Sequence, residues 1–403
     1  MPERHRVALI YHFFAHYREA VIRALAASPG LDLTLIGDDR PRTPSESSIK
    51  TMEMGPGLTF RKARCWFIAN RLMLQPGIIK AALGPYDSLI LLGNAAWPCT
   101  WIAAALGRLT GKRVYFWTHG WTRRDRGLAR HIRRTFYRLA HGLLLYGHMA
   151  KMEGIAQGFD PARLHVIYNS LDYEAHAKVR EAITPEQCRR LRVEMFNDPD
   201  TPVVVCVARL MANKRLDLLL RAAAANAAAG MPANVLLVGD GPERSRLEAL
   251  ARELNIRVVF AGSCYDEAML GRCFRSASVC VSPGNVGLTA MHALAYGTPV
   301  VTHDDWENQM PEFESIIPGQ TGGLYRAGDE SSLASHIAAW THPSPGAAID
   351  RAAVARACVQ ICERVYCPSA QVAAIEHALS GKPADDLLVM GGRACGAGES
   401  QTC

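Results

Sequence analysis

Short apolar runs alternate with longer amphipathic stretches along most of the chain. This alternation is typical of β-strand–α-helix units, in which the strands pair in parallel and the helices cover the sheet. In the first half it predicts strands that begin at Val7, Leu33, Ser88, Val114, Gly142 and Leu164. After a charged helical stretch it predicts further strands that begin at Val203, Asn234, Ile256, Ser278 and Pro299. The sequence therefore predicts an α/β fold with two doubly wound halves that face a cleft.

The length of the chain also favours two domains. It has 403 residues, whereas a single hydrophobic core rarely grows beyond ~250–300 residues. We predict an N-terminal domain over 1–172, a linker over 173–200 and a C-terminal domain over 201–350. A closing helical segment over 351–380 and a loose tail over 381–403 follow.

Charge and cysteine usage restrict the class of protein. The formal net charge of +7 favours anionic partners without naming one. The 12 cysteines are scattered, and no C-x-x-C motif or Cys/His cluster has the spacing of a metal site. Unpatterned cysteines suit a reducing cytoplasm.

No segment has the pattern of a targeting or membrane-spanning sequence. A predicted strand follows the first residues at once and leaves no room for the apolar core of a signal peptide. The most apolar segment, 89–109, is interrupted by Gly93, Asn94, Pro98 and Arg108. It falls short of the ~20 consecutive apolar residues that a spanning helix needs. We therefore expect a soluble, cytoplasmic protein.

Basic residues follow the first strand of the second half, in the stretch VARLMANKR. Arg209 ends the strand, and Lys214 and Arg215 open the next helix. A guanidinium and an ammonium placed at a strand end and a helix N-terminus can clamp a diphosphate. Taken alone, the same pattern is also typical of a solvated corner.

A glycine loop begins the stretch GNVGLTAMHALAYGTPVV, residues 284–301. Gly284 and Gly287 allow the backbone to approach a ligand closely, and the helix that follows directs its N–H groups toward an anion. The alternative is a plain loop before a packed helix. The whole run favours a phosphate site.

His119 lies just after the strand VYFW, on a turn flanked by Gly120. Ligands of doubly wound sheets bind beyond the carboxyl ends of the strands. A single histidine is more often structural than catalytic, and this position makes the two interpretations equally strong.

Together these motifs resemble a known family. The stretches VARLMANKRLDLLL, VGDGPE, FAGSCYDEAML, SPGNVGLTAMHALAYGTPVV and PEFESIIPGQTGGLY occur in this order between Val203 and Tyr325. They resemble the nucleotide-sugar half of the retaining glycosyltransferases of family 4. The first half is similar more loosely, through WTHG at Trp117 and VIYNSLD at Val166.

The resemblance implies a GT-B fold, with two Rossmann-like domains and the sugar donor bound to the second. It implies that Arg209 and Lys214 neutralise the diphosphate leaving group, and that Gly287 and Leu288 cradle phosphate with their backbone. Such enzymes generally need no metal, and we expect none. Fixed cations and helix N–H groups can take over the role of a divalent ion.

The resemblance also implies a base-side pocket near Gly262 and Ser263, and an acceptor-side histidine at His119. The family usually carries a Glu-x7-Glu pair, and this chain has Gly284 and His292 at those positions. A neutral imidazole offers one donor and one acceptor, so His292 can still bind ribose hydroxyls.

Gly284 has no side chain to offer. Backbone groups of Gly284 and Asn285 are the candidates that replace the lost contact to the sugar.

The N-terminal corner departs from the family as well. Where the family often has two glycines, this chain has His16, Tyr17 and Arg18. The corner is not a G-x-G-x-x-G loop, which argues against a dinucleotide oxidoreductase. We predict that His16 and Arg18 lie on the acceptor side, with Arg18 directed to an anionic acceptor or the donor phosphate. A surface salt bridge is an equally strong alternative for Arg18.

A basic segment runs from Arg123 to Arg138, with seven arginines and one acid. The residues Leu128, Ile132, Phe136 and Leu139 have helical spacing. Such a helix can lie on anionic lipid, or it can pack by its apolar stripe with a solvated basic face. Because sugar assembly in bacteria often uses lipid-linked acceptors, we favour contact with a membrane surface.

We therefore predict a retaining glycosyltransferase that moves a sugar from a nucleotide-diphosphate sugar to a glycan or lipid-linked acceptor. We expect it in the synthesis of surface or exopolysaccharides, peripheral on the cytoplasmic face of the membrane, with no nucleic-acid partner. One alternative is a sugar-nucleotide 2-epimerase on the same fold, which would need a cluster of carboxylates and histidines in the cleft. Another is a non-catalytic GT-B partner protein.

Overall fold

The computed structural model of the protein describes residues 4–42, 46, 49–68, 72–123, 127–344 and 349–385. Most of the predicted tail lies outside these residues, as do positions 124–126 of the basic segment. No helix in the described part of the chain is long and apolar enough to cross a bilayer.

The first half of the chain forms a parallel sheet. Its strands and those of a small ribbon are β1 (His5–Phe13), β2 (Leu31–Asp38), β3 (Thr59–Lys62), β4 (Trp66–Ile68), β5 (Leu72–Leu74), β6 (Ser88–Leu92), β7 (Arg113–Thr118), β8 (Gly142–Leu145) and β9 (Leu164–Val166). The strand order is β3-β2-β1-β6-β7-β8-β9, and β4 and β5 pair separately as an antiparallel ribbon. The helices between them are α1 (Glu19–Ala27), α2 (Gly77–Leu83), α3 (Pro98–Leu109), α4 (Gly127–Arg138) and α5 (His148–Ala156).

The two halves are joined by α6 (Tyr173–Ala182) and α7 (Pro185–Phe196). The second of these helices has strong start and stop signals. Thr184 and Gln187 form a capping box, and Pro185 occupies the first helical position. Asn197 ends the helix in the left-handed conformation.

The second half repeats the arrangement. Its strands are β10 (Val203–Val207), β11 (Asn234–Val238), β12 (Val258–Gly262), β13 (Val279–Val281), β14 (Val300–His303) and β15 (Gly322–Tyr325), in the order β12-β11-β10-β13-β14-β15. Its helices are α8 (Leu216–Ala228), α9 (Arg244–Glu253), α10 (Glu267–Ser276), α11 (Thr289–Ala295) and α12 (Glu330–Thr341). The predicted fold class, two Rossmann-like doubly wound domains, is confirmed.

Each sheet is buried on both faces, as expected for parallel strands. Successive side chains of a strand point to opposite faces. Accordingly, Val203 and Val205 pack in one buried cluster of the second domain, and Val204 and Cys206 pack in the cluster on the other face. This two-sided burial explains why the strands read as continuous apolar runs.

The closing segment contains two helices, α13 (Arg351–Arg364) and α14 (Pro368–Leu379), which pack on different domains. In α13, Cys358 and Cys362 belong to the core of the second domain. In α14, Ile375 and Leu379 belong to a core cluster of the first domain. The hydroxyl of Tyr115 donates to the carbonyl of Ala378 at 2.7 Å. The chain therefore returns to the first domain at its end.

In both sheets the strand order reverses direction at one point, between β1 and β6 in the first and between β10 and β13 in the second. Ligands of doubly wound sheets bind in the crevice at such a switch point, beyond the carboxyl ends of the strands. The loops that follow these strands therefore define the candidate site.

Candidate active site

Two loops meet at the switch point of the second sheet, one after β10 and one after β13. The backbone N–H of Gly284 donates to the carbonyl of Lys214 at 3.0 Å. In return, Lys214 Nζ donates to both the carbonyl and the side-chain oxygen of Asn285, each at 2.8 Å. The structure thus brings together three predicted site residues from distant parts of the chain.

Close packing explains why position 284 is glycine. A Cβ added to Gly284 would overlap the carbonyl oxygen of Asn213 and lie 2.8 Å from Lys214 Cα. Any side chain, including a glutamate, would force the two loops apart. The missing carboxylate at this position is therefore a consequence of how tightly the loops pack.

Gln309 holds the glycine loop from the opposite side. Its side-chain oxygen accepts from the N–H of Val286 at 2.8 Å, and its amide donates to the hydroxyl of Thr302 at 2.8 Å. Thr302 in turn donates to the carbonyls of Ser282 at 2.8 Å and Gly284 at 3.2 Å. The sequence motifs gave no signal for this bracing, because Gln309 lies in a separate short turn.

Gly287 has open space around it, in contrast to Gly284. The nearest atom to an added Cβ would be Met310 Cγ, at 4.0 Å. The backbone N–H groups of Gly287 and Leu288 donate to no other described residue. Two adjacent donors are thus free for a ligand at the predicted phosphate cradle.

The two predicted cations differ in their surroundings. Arg209 is exposed, and its side chain has no hydrogen bond or ion pair with the described residues. Lys214 is half-buried, and its burial lowers the pKa of its ammonium group. A free guanidinium and a fixed ammonium therefore follow the same strand.

The predicted base-side residues lie at the end of β12. Gly262 has a positive φ of 74°, a conformation that favours glycine, and its carbonyl accepts from the N–H of Gly239 at 2.8 Å. Ser263 is exposed. The turn presents mainly backbone groups.

His292 lies one turn inside α11 and points toward α10. Its Nε2 lies 2.7 Å from Glu267 Oε1, and its ring stacks on that of His176 with centroids 4.8 Å apart. Because a carboxylate only accepts, Nε2 carries the proton and Nδ1 is the acceptor. His292, at the position of the family's second glutamate, is thus oriented by Glu267, a residue that the sequence analysis did not single out.

A concavity of about 390 Å³ lies beside the glycine loop. Gly284, Asn285 and Asp305 are among the residues that line it. Asp305 accepts from Asn308 Nδ2 at 2.7 Å. A carboxylate is therefore present near Gly284, although it comes from a different loop.

The first domain contains a larger cavity of about 920 Å³ at the carboxyl ends of its strands. Its lining includes Tyr11, Arg18, Trp97, His119 and Tyr137. Burial, together with the charge of Arg18, lowers the pKa of His119 to about 4. His119 is therefore a neutral imidazole at neutral pH, on the wall of this cavity.

Arg18 is held among aromatic rings at the edge of the cavity. Its guanidinium carbon lies 5.1–5.7 Å from the ring centroids of Tyr11, Tyr17, Trp117 and Tyr146. Its Nη2 donates to the Tyr146 hydroxyl at 2.7 Å, while Nη1 is buried without a partner. Arg18 forms no ion pair with any described residue, and its place on the acceptor side stays a prediction.

The structure places His16 outside this cavity. Its side chain is exposed, and its Nδ1 lies 3.1 Å from the carbonyl of Lys50. The reason is local, because His16 begins a short 3₁₀ turn that directs Tyr17 and Arg18 inward instead.

The segment PEFE of the second domain docks on the first domain. Glu312 Oε1 accepts from Asn169 Nδ2 at 2.8 Å. The carboxylate of Glu314 accepts the N–H groups of His148 and Met149 at the start of α5, at 2.7 and 2.8 Å. Burial raises the pKa of Glu314 to about 7, and the neighbouring Glu312 adds to this effect. These two carboxyl groups join the domains beside the cleft.

Comparisons with known proteins agree with this architecture. Residues 201–342 match the family model described as Glycosyl transferases group 1. The chain is similar over 93% of its length to the lipopolysaccharide outer core galactosyltransferase WaaB, with a TM-score of 0.67 and 15% identity, and it covers 99% of that chain. It is also similar to Anabaena HepE in complex with UDP, with a TM-score of 0.67, 17% identity and coverage of 94% and 100%. The fold is GT-B.

Sequence similarity to curated proteins is confined to part of this GT-B chain. A GDP-mannose-dependent phosphatidylinositol dimannoside mannosyltransferase of Mycobacterium tuberculosis is 36% identical over 118 residues, 28% of this chain and 30% of that protein. A D-inositol 3-phosphate glycosyltransferase of a Mycobacterium species is 35% identical over 153 residues, 35% of this chain and 32% of that protein. The chain thus spans about a third of the length of these relatives.

Proposed function

We propose that the protein is a retaining glycosyltransferase that transfers a sugar from a nucleotide-diphosphate sugar to a glycan or lipid-linked acceptor. The observation that carries the proposal is the switch point of the second sheet. There, free backbone N–H groups at Gly287 and Leu288 belong to a loop that is tied to Lys214, and the exposed Arg209 follows the same strand as Lys214.

The second domain binds the donor in this proposal. As the bond between the sugar and the diphosphate breaks, the diphosphate oxygen keeps the electron pair and its negative charge grows. Arg209, Lys214 and the backbone N–H groups stabilise that charge, so the transfer step needs no metal. Lys214 and its loop are already held in place, so little reorganisation is required during the reaction.

Two other groups take over from the missing glutamates, one from a different loop and one at the second motif position itself. Asp305 lines the same concavity as Gly284 and offers a carboxylate to the sugar hydroxyls. His292 offers its Nδ1 lone pair to a ribose hydroxyl, because Glu267 holds the proton on Nε2. The backbone turn at Gly262 and Ser263 receives the base.

The first domain binds the acceptor. Tyr11, Trp97 and Tyr137 give the cavity of about 920 Å³ an aromatic lining against which sugar rings can pack. Arg18 lines the cavity and has an unpartnered buried N–H group, which favours an acceptor with a phosphate or carboxylate group. His119, as a neutral imidazole, hydrogen-bonds the reacting sugar or the acceptor hydroxyl.

We further propose that α4 rests on the cytoplasmic face of an anionic membrane, where surface polysaccharides are built. Leu128 and Ile132 in this helix are 73% and 44% exposed, although Phe136 at the same spacing is fully buried. Arg130 and Arg138 are exposed beside them. Ile132 also lines the acceptor cavity, so a lipid-linked acceptor can reach the cavity from the membrane.

The activity is tested by incubating the protein with a panel of nucleotide sugars and measuring nucleotide release, with and without lipid-linked acceptors. We expect one donor to be turned over faster when an acceptor is present. Arg209→Ala should lower the release by ~10²–10³-fold, while the matched control Arg221→Ala, which removes an exposed arginine of α8, should leave it unchanged. Donor conversion into an epimer, or no turnover with any donor, would contradict the proposal.

The membrane contact is tested by sedimentation with vesicles of phosphatidylglycerol and phosphatidylcholine. Replacing Arg123, Arg130 and Arg138 with Gln should weaken binding by roughly 100-fold, since each basic residue near an anionic surface contributes about 1 kcal/mol. A control with Gln at the exposed Arg189, Arg190 and Arg221 removes the same charge elsewhere. Equal binding of both triple variants would show that the basic face of α4 is only solvated.

A further inference from the structure

Three helices that are distant in the sequence bring polar side chains together, and one of them, His292, lies one helical turn after Leu288 of the phosphate cradle. His176 comes from α6, Glu267 from the first position of α10 and His292 from α11. One nitrogen of each histidine and one oxygen of the carboxylate lie within 4.8 Å of one another. Among the described residues, this is the only group of three or more His, Cys, Asp and Glu side chains with that geometry.

One distance within the group is already that of two zinc ligands, and the other is shorter. His292 Nε2 and His176 Nε2 lie 2.7 and 3.4 Å from Glu267 Oε1. The ligands of a tetrahedral Zn²⁺ lie about 3.3 Å apart, because each bond to the metal is about 2.0–2.2 Å long. Small side-chain shifts would therefore place one ion in contact with both imidazoles and the carboxylate.

His176 lacks satisfactory partners in the ligand-free arrangement. Its side chain is buried, and its Nδ1 has no hydrogen-bond partner. Its Nε2 lies 3.4 Å from Glu267 Oε1, which is longer than the 2.7–3.2 Å typical of an N–H···O bond. Buried polar atoms without a full hydrogen bond are rare, and an ion between Nε2 and Glu267 would give Nε2 the partner that it lacks.

We propose that His176, Glu267 and His292 bind a divalent transition metal, with Zn²⁺ as the expected ion and water as the fourth ligand. Imidazole nitrogen with carboxylate oxygen is a ligand set that zinc accepts readily, whereas magnesium and calcium prefer oxygen alone. Glu267 is the most exposed of the three side chains, with 36% of its surface accessible. The ion can therefore enter from solvent, and water can complete its coordination.

Metal binding would fix the tautomers of the two imidazoles. The Nε2 atom of each ring must offer its lone pair to the ion, so the proton of each neutral ring lies on Nδ1. For His292 this reverses the arrangement without metal, in which Nε2 donates to Glu267.

The ion would join the connecting helix α6 to the second domain. Tyr296 donates its hydroxyl to Glu267 Oε1 at 2.5 Å and so orients the carboxylate from outside the ligand set. Such partners commonly contribute ~10–100-fold to metal affinity. The ion would have a structural role, and its ligand His292 is also the residue proposed to contact the donor ribose. With Nε2 bound to the ion, Nδ1 carries the proton and would donate to the ribose hydroxyl instead of accepting from it. The inference does not depend on the proposed transferase activity.

Binding of Co²⁺ to protein stripped with EDTA tests the site, because tetrahedral Co²⁺ absorbs visible light and reports its ligands. The wild-type protein should develop this absorption with one ion per chain, and Zn²⁺ should displace it. Zn²⁺ should also raise the melting temperature of the wild-type protein, because a ligand that binds the folded state stabilises it.

Three variants locate the ion. His176→Gln and His292→Gln should each weaken Co²⁺ binding by at least ~100-fold, and Tyr296→Phe by ~10–100-fold. His336→Gln in α12, whose Nδ1 only contacts the Ser332 carbonyl, is the matched control and should bind as the wild type does. Tyr296→Phe keeps the packing, so it remains informative if a histidine variant fails to fold.

Two results would overturn the inference. One is the absence of tetrahedral Co²⁺ absorption in the wild-type protein. The other is equal Co²⁺ affinity in the wild-type, His292→Gln and Tyr296→Phe proteins, which would place the bound ion at some other histidine or cysteine.

Discussion

The corner after β13 and the corner after β1 each lie at the switch point of a sheet, but on opposite sides of it, since the counterpart of β1 in the second sheet is β10. The corner after β13 is built from backbone, because Gly284 packs against Lys214 and Gly287 leaves open space. The corner after β1 is built from side chains, with Arg18 enclosed by aromatic rings. A site made of backbone groups suits the feature common to all nucleotide-diphosphate-sugar donors, the diphosphate. A site made of side chains suits the part that differs, the acceptor.

The largest expected effect comes from removing one of the two cations that follow β10, at the switch point of the second sheet. Arg209→Ala or Lys214→Ala should lower kcat by ~10²–10³-fold, because the developing diphosphate charge then lacks a fixed partner worth ~2.7–4 kcal/mol. The measurement is steady-state nucleotide release, with Arg221→Ala as control. Near-normal turnover in both alanine variants would place the donor elsewhere.

A smaller effect is expected from replacing Arg18 in the corner after β1, where acceptor kinetics and stability should respond differently. Arg18→Met should lower kcat/KM for the acceptor by ~10–100-fold, because a charge-assisted hydrogen bond is worth about 1.5–3 kcal/mol. The free energy of unfolding should not fall, because replacing a buried charge by an apolar residue of similar size is often neutral or stabilising.

Denaturant unfolding and acceptor titration of Arg18→Met separate these two effects. A large loss of stability with unchanged acceptor kinetics would show that Arg18 only supports the fold.

The two glycines of the loop should respond differently to the same substitution. Gly284→Ala should lower the free energy of unfolding by ~1–3 kcal/mol, because the added methyl overlaps the chain at Asn213. Gly287→Ala should leave stability nearly unchanged and raise the donor KM, because its methyl points into open space where phosphate is expected. Thermal melts and donor kinetics on both variants check this contrast, and equal stability losses would refute it.

The contact between the domains should give an effect that is visible only as a pH dependence of stability. The pKa of Glu314 rises from 4.5 to about 7 on folding. Its contribution to stability is therefore complete below pH ~4.5 and is lost as the pH rises through ~7. Relative to Glu314→Gln, the wild-type protein should lose about 3 kcal/mol over this interval, since each pKa unit corresponds to about 1.4 kcal/mol.

Denaturant unfolding of both proteins at several pH values measures that difference. Parallel stability profiles would show that Glu314 does not titrate within the interface.

The sequence predicted what depends on local pattern. The two sheets were predicted from the apolar runs. The strands β3 and β15 were not predicted because they lack such a run, since β3 is largely exposed and β15 begins with Gly322 and Gly323. Arg209, Lys214 and the glycine loop were found because each lies directly beside a recognisable strand or helix. Their roles in binding and transfer remain predictions.

The parts that the sequence did not reveal depend on contacts between distant residues. Gln309 braces the glycine loop, and Glu267 orients His292, although 25 positions separate the latter pair along the chain. Likewise, the metal-ligand spacing that was sought among neighbouring residues is present only in space, between His176, Glu267 and His292. Neither periodicity nor a motif in a single sequence indicates that residues so far apart in the chain are in contact.

The central claim is that the loops after β10 and β13 still bind a donor diphosphate although both motif glutamates are absent. Calorimetric titration with UDP, GDP, ADP and the matching monophosphates, in EDTA, tests it most directly. We predict that one diphosphate binds more tightly than its monophosphate, and that Arg209→Ala and Gly287→Ala each weaken this binding by ~10–100-fold while Arg221→Ala does not. If no diphosphate is preferred over its monophosphate, or if all these proteins bind it equally, the claim is contradicted.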